Sequence, residues 1–195
     1  MEFHRGCFHD DSAGSTSWTI LQATELVGNR YAVHMSEGRL LEIWIAPEAG
    51  AEMISCDSVN AIAGSGLEGD RYRQSGSWSD QGGKPDQELT LIEQEQLIWF
   101  EETQGIAFPS SQTRRNLLTS GISLNELVGR RLLIGQVELE GLRLCEPCAT
   151  LQKRTGLPVL PAMVGRSGLN CRIVSGGELR VGDAIKTHLA KAGST

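Results

Sequence analysis

Two cysteines separated by two residues, in Cys145-Glu146-Pro147-Cys148, are the sharpest chemical feature of the sequence. The pair follows a predicted strand and precedes a predicted short helix, where free N–H groups and the helix dipole favour a thiolate. Arg143, Lys153 and Arg154 are close in sequence and favour the same ionised form. A thiolate attacks electrophiles or binds soft metals. The segment therefore predicts a metal ligand, a sulfur carrier or a redox pair.

Other interpretations of this pair remain open. One alternative is that both cysteines are simply small, buried, apolar side chains. A zinc site needs four ligands, and no second C-x-x-C or H-x-x-x-H is present. A thioredoxin-like pair needs an alternating βαβ background, which the pattern does not indicate. A zinc or disulfide role is therefore a minor alternative.

Two further segments offer groups that bind anions. Arg114-Arg115-Asn116 supplies many hydrogen-bond donors, and guanidinium groups bind phosphate in bidentate fashion. Because neighbouring strand residues point to opposite faces, at most one of these arginines enters any one pocket. The loop Gly66-Leu67-Glu68-Gly69-Asp70-Arg71 has spaced glycines that allow tight turns or backbone N–H groups facing an anion. It lacks the Gly-Lys-Ser/Thr of a P-loop.

The charge of the chain is unevenly distributed. Residues 1–112 carry 18 acidic and 6 basic side chains, whereas residues 113–195 carry 6 acidic and 12 basic ones. A basic half predicts a surface that meets an anion, although two solvated faces of one domain explain it equally well. The basic residues are dispersed among few aromatic residues, so we do not expect nucleic-acid binding.

The rest of the composition bounds the class of protein. The chain has 195 residues and 39% hydrophobic residues, enough for one well-buried domain. No apolar run approaches the roughly 20 residues of a membrane span, and the polar N-terminus predicts no secretory signal. Five scattered cysteines do not predict a disulfide framework, so we expect a cytoplasmic protein with no membrane association.

Hydrophobic patterns and glycines predict mostly short strands. Leu41, Ile43 and Ile45 alternate with polar or aromatic residues and predict a first strand beginning at Arg39. Gly176-Gly177 between two apolar runs predicts a hairpin. Further strands are predicted at 59–63, 89–92, 116–119, 132–134, 137–144, 169–175, 178–181 and 183–187, with helices at 93–103 and 149–155 and a helical turn at 123–127.

This count favours a mainly β fold, a barrel or sandwich with a few short helices. Residues 1–38 are predicted to be a separate N-terminal extension, either weakly structured or packed on the core. The organised domain is predicted to span residues 39–188, with a tail at 189–195.

In order along the chain, these motifs resemble those of the MOSC domain, named for the C-terminal domain of molybdenum-cofactor sulfurases. The resemblance covers about residues 39–188 and implies a β-barrel. The matching stretches are the loop 66–71, the strand 88–92, Arg114 to Ile122, Leu127 to Gly135, Cys145 to Leu151, and Gly176 to Asp183.

The resemblance implies binding of the molybdenum cofactor, a pterin called molybdopterin that carries phosphate. It implies that Cys148 is the thiolate ligand of molybdenum and the catalytic residue. Cys145 is a candidate redox partner whose role stays open. The cofactor environment is predicted at Arg114, Arg115, Asn116, Gly69, Asp70, Arg71 and Thr119. The implied reaction is reduction of small N-hydroxylated bases or related N–O compounds.

The sequence also departs from larger members of the family. It lacks an appended N-terminal β domain and iron–sulfur cluster ligands, so a separate electron-donor protein is expected. Two other functions stay open at this point. One is a sulfur carrier with a persulfide on Cys148, and the other is a non-catalytic module that binds the cofactor for storage or transfer.

Overall fold

The computed structural model describes residues 37–72 and 88–187, and all elements named below lie within these ranges. The strands are β1 (Glu37–Ile45), β2 (Ile54–Cys56), β3 (Ser58–Ile62), β4 (Gly66–Leu67), β5 (Leu89–Glu93), β6 (Leu117–Ser120), β7 (Arg131–Ile134), β8 (Val137–Leu144), β9 (Leu169–Ser175), β10 (Gly177–Arg180) and β11 (Ala184–Thr187). The helices are α1 (Gln94–Gln104), α2 (Ala149–Thr155) and α3 (Val159–Ala162), with 3₁₀ turns at Ser110–Gln112 and Leu124–Leu127.

Seven of these strands close into a barrel. The order around it is β1-β6-β5-β9-β8-β7-β11, and β11 pairs back to β1 through Arg39–Ala184 and Glu37–Lys186. All neighbours in the ring are antiparallel except β5 and β6. Closure removes the exposed edges that an open sheet would leave. The prediction of a mainly β, barrel-like fold with a few short helices is confirmed.

Two apolar clusters stabilise the barrel from inside and outside. The inner cluster is lined by side chains from every barrel strand, including Leu40, Leu91 and Leu139. The outer cluster packs α1, α2 and α3 against β5 and β6, with Phe100 and Leu151 among its members. Because β5 faces both clusters, all five of its residues are buried. Leu151 thus seats α2 on the barrel.

A bulge in β1 turns Leu41 to the opposite face of the sheet from the one that the two-residue alternation predicts. The pairing with β6 shifts between Leu40 and Glu42. As a result Leu40 and Ile43 enter the inner cluster, whereas Leu41 packs against the outer one. A bulge inserts one extra residue and so resets the two-residue alternation. The strand itself was predicted correctly, but Leu41 was placed on the wrong face.

The predicted hairpin at Gly176-Gly177 is wrong, although both flanking strands exist. β9 pairs with β5 and β8, whereas β10 leaves the barrel and pairs with β3 in a separate three-stranded sheet. A side chain at Gly176 would place its Cβ 2.5 Å from the carbonyl oxygen of Ala61. The glycine therefore permits a close crossing between sheets, which local sequence does not distinguish from a tight turn.

The ends of the two longer helices agree with the sequence. α1 ends at Gly105 and α2 at Gly156, both left-handed with φ of 67° and 70°. Glycine adopts this conformation without a Cβ clash and so ends helices.

The predicted N-terminal extension and tail cannot be compared with the structure. Residues 1–36 of the extension and the whole tail, residues 189–195, lie outside the described residues. The domain boundaries therefore stay a prediction.

A buried carboxylate connects the barrel to the second sheet. One oxygen of Glu88 accepts the backbone N–H groups of Ile173, at 2.8 Å, and Gly64, at 3.2 Å. Burial raises the pKa of Glu88, and these two hydrogen bonds and the charge of Arg172 oppose the rise. The ionised form of this carboxyl is thus less favourable in the folded chain than in the unfolded one.

We predict a pH-dependent effect of Glu88→Gln. Because the folded pKa is raised, the stabilisation is complete below the unfolded pKa and is lost as pH rises through the folded pKa. The amide oxygen of Gln still accepts both N–H groups but does not ionise. Urea unfolding between pH 4.5 and 8 should show the variant gaining stability relative to the wild type as pH rises. Glu126→Gln, at an exposed carboxylate, is the control, and a pH-independent difference at Glu88 would contradict the prediction.

Candidate functional site

Cys148 presents its thiol at the start of α2, where the sequence predicted it. The residue is exposed, and its extended backbone makes it the N-cap of the helix. Its Sγ accepts the backbone N–H of Leu151 at 3.4 Å. The hydrogen bond orients the sulfur, and the exposure leaves it accessible to a metal or a sulfur donor.

Arg115 anchors the segment that leads to this thiol. Its guanidinium is buried, and Nε and Nη2 donate to the carbonyl and hydroxyl oxygens of Ser167, both at 2.8 Å. Nη2 also donates to the carbonyl oxygen of Cys145 at 3.0 Å, and Nη1 to that of Thr113 at 3.2 Å. Nearly all its donors are therefore used within the protein. Arg115 therefore holds the backbone of the segment that leads to Cys148, and its assignment to the cofactor environment stays a prediction.

Cys145 is held in place on both sides. Its carbonyl accepts from Arg115, and its N–H donates to the carbonyl oxygen of Gly168 at 2.7 Å. Residues 145–148 form no turn or bend, and the residue before Pro147 favours an extended backbone. Cys145 and Cys148 are both free cysteines in this structure.

Three other expected site residues lie in the interior. Asn116 accepts the N–H of Thr90 at 3.1 Å and donates to the carbonyl oxygen of Trp44 at 3.1 Å. Asp70 is fully buried beside it, and that burial raises the pKa of Asp70. Thr119, also fully buried, donates to the carbonyl oxygen of Ile92 at 3.2 Å. These side chains connect strands, and their polar atoms face protein.

The glycine loop supports this interior network. Gly69 has a φ of 78°, and a Cβ there would lie 3.2 Å from Ile45. Arg71 is largely buried, 3.4 Å from the carboxylate of Asp70, with its guanidinium 4.4 Å from the ring centre of Tyr72. The loop thus brings the positive charge of Arg71 close enough to act on Arg114. The backbone N–H groups of Glu68, Asp70 and Arg71 donate to carbonyl oxygens of the protein.

Arg114 differs from its neighbours in backbone and surroundings. Among the described residues it is the one non-glycine residue with positive φ, at 65°. Its Nη1 donates to the carbonyl oxygen of Ala51. Burial, and then the charges of Arg71 and Arg154, lower the pKa of Arg114 to about 10. Left-handed backbone in a non-glycine residue costs on the order of 1–2 kcal/mol and is often kept at functional sites.

Arg114 lines a polar cleft of about 490 Å³, which we call the arginine cleft. Arg154, from the last turn of α2, lies in the same wall and donates to the carbonyl oxygens of Gly50 at 2.8 Å and Ala51 at 3.4 Å. No ion pair within the described residues involves Arg114 or Arg154. The full lining is Trp44, Glu52, Met53, Ser111, Gln112, Arg114, Arg154 and Thr155.

The arginine cleft and Cys148 lie toward opposite ends of α2. Cys148 is not among the lining residues, and six residues of helix correspond to a rise of ~9 Å between it and Arg154. Sequence reasoning did not assign Arg154 or Trp44 to the site. The position of Arg154 at the end of the helix that begins at Cys148 was the available signal. Nothing in the sequence pairs Trp44 with residues 110 positions further on.

Among the described residues, side chains alone do not form a metal site. Within the two described ranges, no group of three or more His, Cys, Asp or Glu residues lies close enough to hold a metal ion. A zinc role for Cys145 and Cys148 therefore has no support from neighbouring ligands. A metal at Cys148 would bring most of its other ligands with a cofactor.

The fold and these residues define the class of protein. The family model described as "MOSC domain" matches residues 79–186, more than half of the chain. The chain belongs to the MOSC domain family. This confirms the resemblance found in the sequence motifs.

Solved structures with low sequence identity share the fold. The YuaD protein of Bacillus subtilis has a TM-score of 0.68 and 16% identity, with 80% of this chain and 98% of that chain covered. YiiM of Geobacillus stearothermophilus has a TM-score of 0.61 and 16% identity, covering 80% and 77%. YiiM of Escherichia coli has a TM-score of 0.58 and 19% identity, covering 80% and 72%. No curated protein matches the chain significantly.

Of the helices in residues 37–72 and 88–187, none is long and apolar enough to cross a membrane.

We predict that Arg115→Ala loosens the segment carrying Cys148. The change leaves the carbonyl oxygens of Ser167 and Cys145 without their charged donor and should destabilise the fold by about 3 kcal/mol. Urea unfolding measures this loss, and mass-resolved alkylation should show a changed Cys148 rate in the folded variant. Arg130→Ala, at an exposed turn, is the control. Unchanged stability and unchanged alkylation would contradict the positioning role.

A second prediction isolates the backbone strain at Arg114. Arg114→Gly and Arg114→Ala both remove the guanidinium, but only Ala retains the Cβ that disfavours a φ of 65°. The Gly variant should therefore be more stable than the Ala variant by about 1 kcal/mol. Thermal or urea unfolding of the two variants measures the difference. Equal stabilities would show that the backbone relaxes and that no strain is held there.

Proposed function

We propose that this chain binds a molybdenum cofactor and reduces small N-hydroxylated bases or related N–O compounds. The single observation that carries the proposal is the arginine cleft, where Arg114 has a left-handed backbone and no carboxylate partner among the described residues. A phosphate-bearing cofactor suits that cleft because guanidinium groups bind phosphate strongly. The exposed thiol of Cys148 supplies the soft ligand that molybdenum accepts.

The chain offers the types of ligand that such a cofactor needs, a guanidinium group for the phosphate and a thiol for the metal. Arg114 would hold the phosphate with the N–H groups that Ala51 does not use, and Cys148 would ligate the metal. When bound, the cofactor supplies a redox-active metal with an open coordination position for oxygen-atom transfer. The protein contributes binding, orientation and the thiolate. Membership of the MOSC domain family agrees with this division of roles.

The interior residues contribute indirectly. Arg115 fixes the backbone before Cys148, so the thiolate keeps one position relative to the barrel. Asn116 and Asp70 hold the strand end from which Arg114 projects. We therefore assign Arg115, Asn116, Asp70 and Thr119 to the support of the site, and Arg114 and Cys148 to contact with the cofactor.

Two partners follow from this chemistry. A reductase needs electrons, and we propose that a separate electron-donor protein supplies them. We place the reaction in the cytoplasm, where thiols such as Cys148 stay reduced. The substrate is a small molecule that reaches the metal at the exposed end of α2.

A sulfur-carrier function is the second candidate, and the exposure of Cys148 is the observation that favours it. In that function the Cys148 thiolate attacks the outer sulfur of a donor persulfide. The donor thiolate leaves, and Cys148 bears the transferred sulfur for delivery to a cofactor. Cofactor binding without turnover, for storage or transfer, uses the same arginine cleft.

Metal analysis of protein from a cofactor-competent host tests the proposal. We predict molybdenum near one equivalent in the wild type and in the matched control Cys56→Ser, with at least about tenfold less in Cys148→Ser. Reduction of an N-hydroxylated base, with an added electron donor, should fall in parallel. The absence of molybdenum from the wild type would overturn the proposal.

The same samples distinguish the alternatives. Incubation with a cysteine desulfurase followed by intact-mass analysis would show one added sulfur on Cys148 if the protein is a sulfur carrier. Stoichiometric cofactor with no turnover of any N-hydroxylated base would favour storage or transfer. If Cys148→Ser retained molybdenum and activity, the thiol of Cys148 would not be part of the site.

A further inference from the structure

We infer that Arg154 is a second anion ligand of the arginine cleft and that, with Arg114, it binds a phosphate dianion. The inference deepens the proposed function, on which it rests for the identity of the full cofactor, but anion binding is measurable without that cofactor. The sequence analysis used Arg154 only as a charge that favours the thiolate of Cys148, and the family motifs assign it no role in anion binding.

The contacts of the two arginines bring them together on one oxygen. Arg114 Nη1 and Arg154 Nη2 both donate to the carbonyl oxygen of Ala51, the latter at 3.4 Å. Two donors on one acceptor lie within about 6 Å of each other, given ordinary hydrogen-bond lengths. Gly50 accepts the other terminal nitrogen of Arg154 at 2.8 Å. The backbone at residues 50–51 thus fixes both guanidinium groups in the same wall.

Among the described residues at this wall, the guanidinium groups outnumber the carboxylates. Arg71 acts electrostatically on Arg114 together with Arg154, so three guanidinium groups influence one region. Glu52 lines the cleft but forms no ion pair with Arg114 or Arg154, and Asp70 is buried next to Arg71. Bringing like charges together is unfavourable unless a counter-charge binds. A doubly charged anion compensates this repulsion better than a singly charged one.

The geometry distinguishes Arg154 from the lysine beside it. Lys153 and Arg154 are both exposed residues of the last turn of α2, but only Arg154 lines the cleft. A specific anion site requires the side chain at 154, whereas a diffuse basic surface responds equally to either charge. The two positions therefore form a matched pair that removes the same charge from the same helix turn.

Calorimetric titration of the cofactor-free chain with inorganic pyrophosphate, phosphate and acetate tests the inference. Pyrophosphate and phosphate should bind more tightly than acetate. Arg154→Gln and Arg114→Gln should each weaken pyrophosphate binding about tenfold or more, while Lys153→Gln changes it less than about twofold. Arg154→Lys, which keeps the charge but loses the fork, should also weaken binding. Circular dichroism verifies that each variant is folded.

Each outcome decides the question. Equal effects of Arg154→Gln and Lys153→Gln would overturn the inference, as would a wild type that binds no pyrophosphate at millimolar concentrations. Pyrophosphate binding that depends on Arg154, in a protein that never acquires molybdenum, would support the inference and reject the proposed function. Full molybdenum occupancy in Arg154→Gln, with unchanged pyrophosphate binding, would reject the inference alone.

Discussion

The buried guanidinium of Arg115 holds the segment that presents the exposed thiol of Cys148. It joins three separate segments by donating to Thr113, Ser167 and Cys145. The last of these acceptors, the carbonyl oxygen of Cys145, belongs to a residue three positions before Cys148. A buried charge is tolerated only where its donors are satisfied, so these acceptors and the guanidinium require one another. The direction in which residues 145–148 leave the barrel therefore depends on a residue that does not face the cleft.

The barrel provides the rigid reference for this arrangement. β6 carries the arginine and asparagine positions at its start, and β8 ends at the cysteine segment. Both strands are hydrogen-bonded within a closed ring, so their ends have little freedom to separate. Leu151 then seats α2 in the outer cluster, which fixes the other end of the helix near the carbonyl groups of residues 50–51. Thiol and arginine cleft are thus positioned by opposite ends of one short helix.

The sequence predicted the barrel, the bounds of α2 and most strands because these depend on local patterns of hydrophobic residues and glycine. It did not predict the bulge that turns Leu41 outward or the departure of β10 to a second sheet, because both depend on partners far along the chain. The same limit applies to the site. The motif residues Arg115, Asn116 and Thr119 were assigned to the cofactor environment from the family resemblance, which did not indicate hydrogen-bond partners such as Ser167 and Trp44 because these are distant in sequence. Cys148 and Arg114 were assigned from the same resemblance. The structure leaves the thiol of Cys148 exposed and places Arg114 in the arginine cleft, and the assignment of all five residues stays a prediction.

The left-handed backbone of Arg114 explains how three consecutive residues act in three directions. In a regular strand Arg114 and Asn116 would share a face, and both would point away from Arg115. A φ of 65° breaks this alternation, so Arg114 lies along the cleft while Asn116 enters the core beneath it. Arg115 between them reaches the cysteine segment. The left-handed backbone at one residue therefore separates a side chain that lines the cleft from two side chains that are hydrogen-bonded inside the protein.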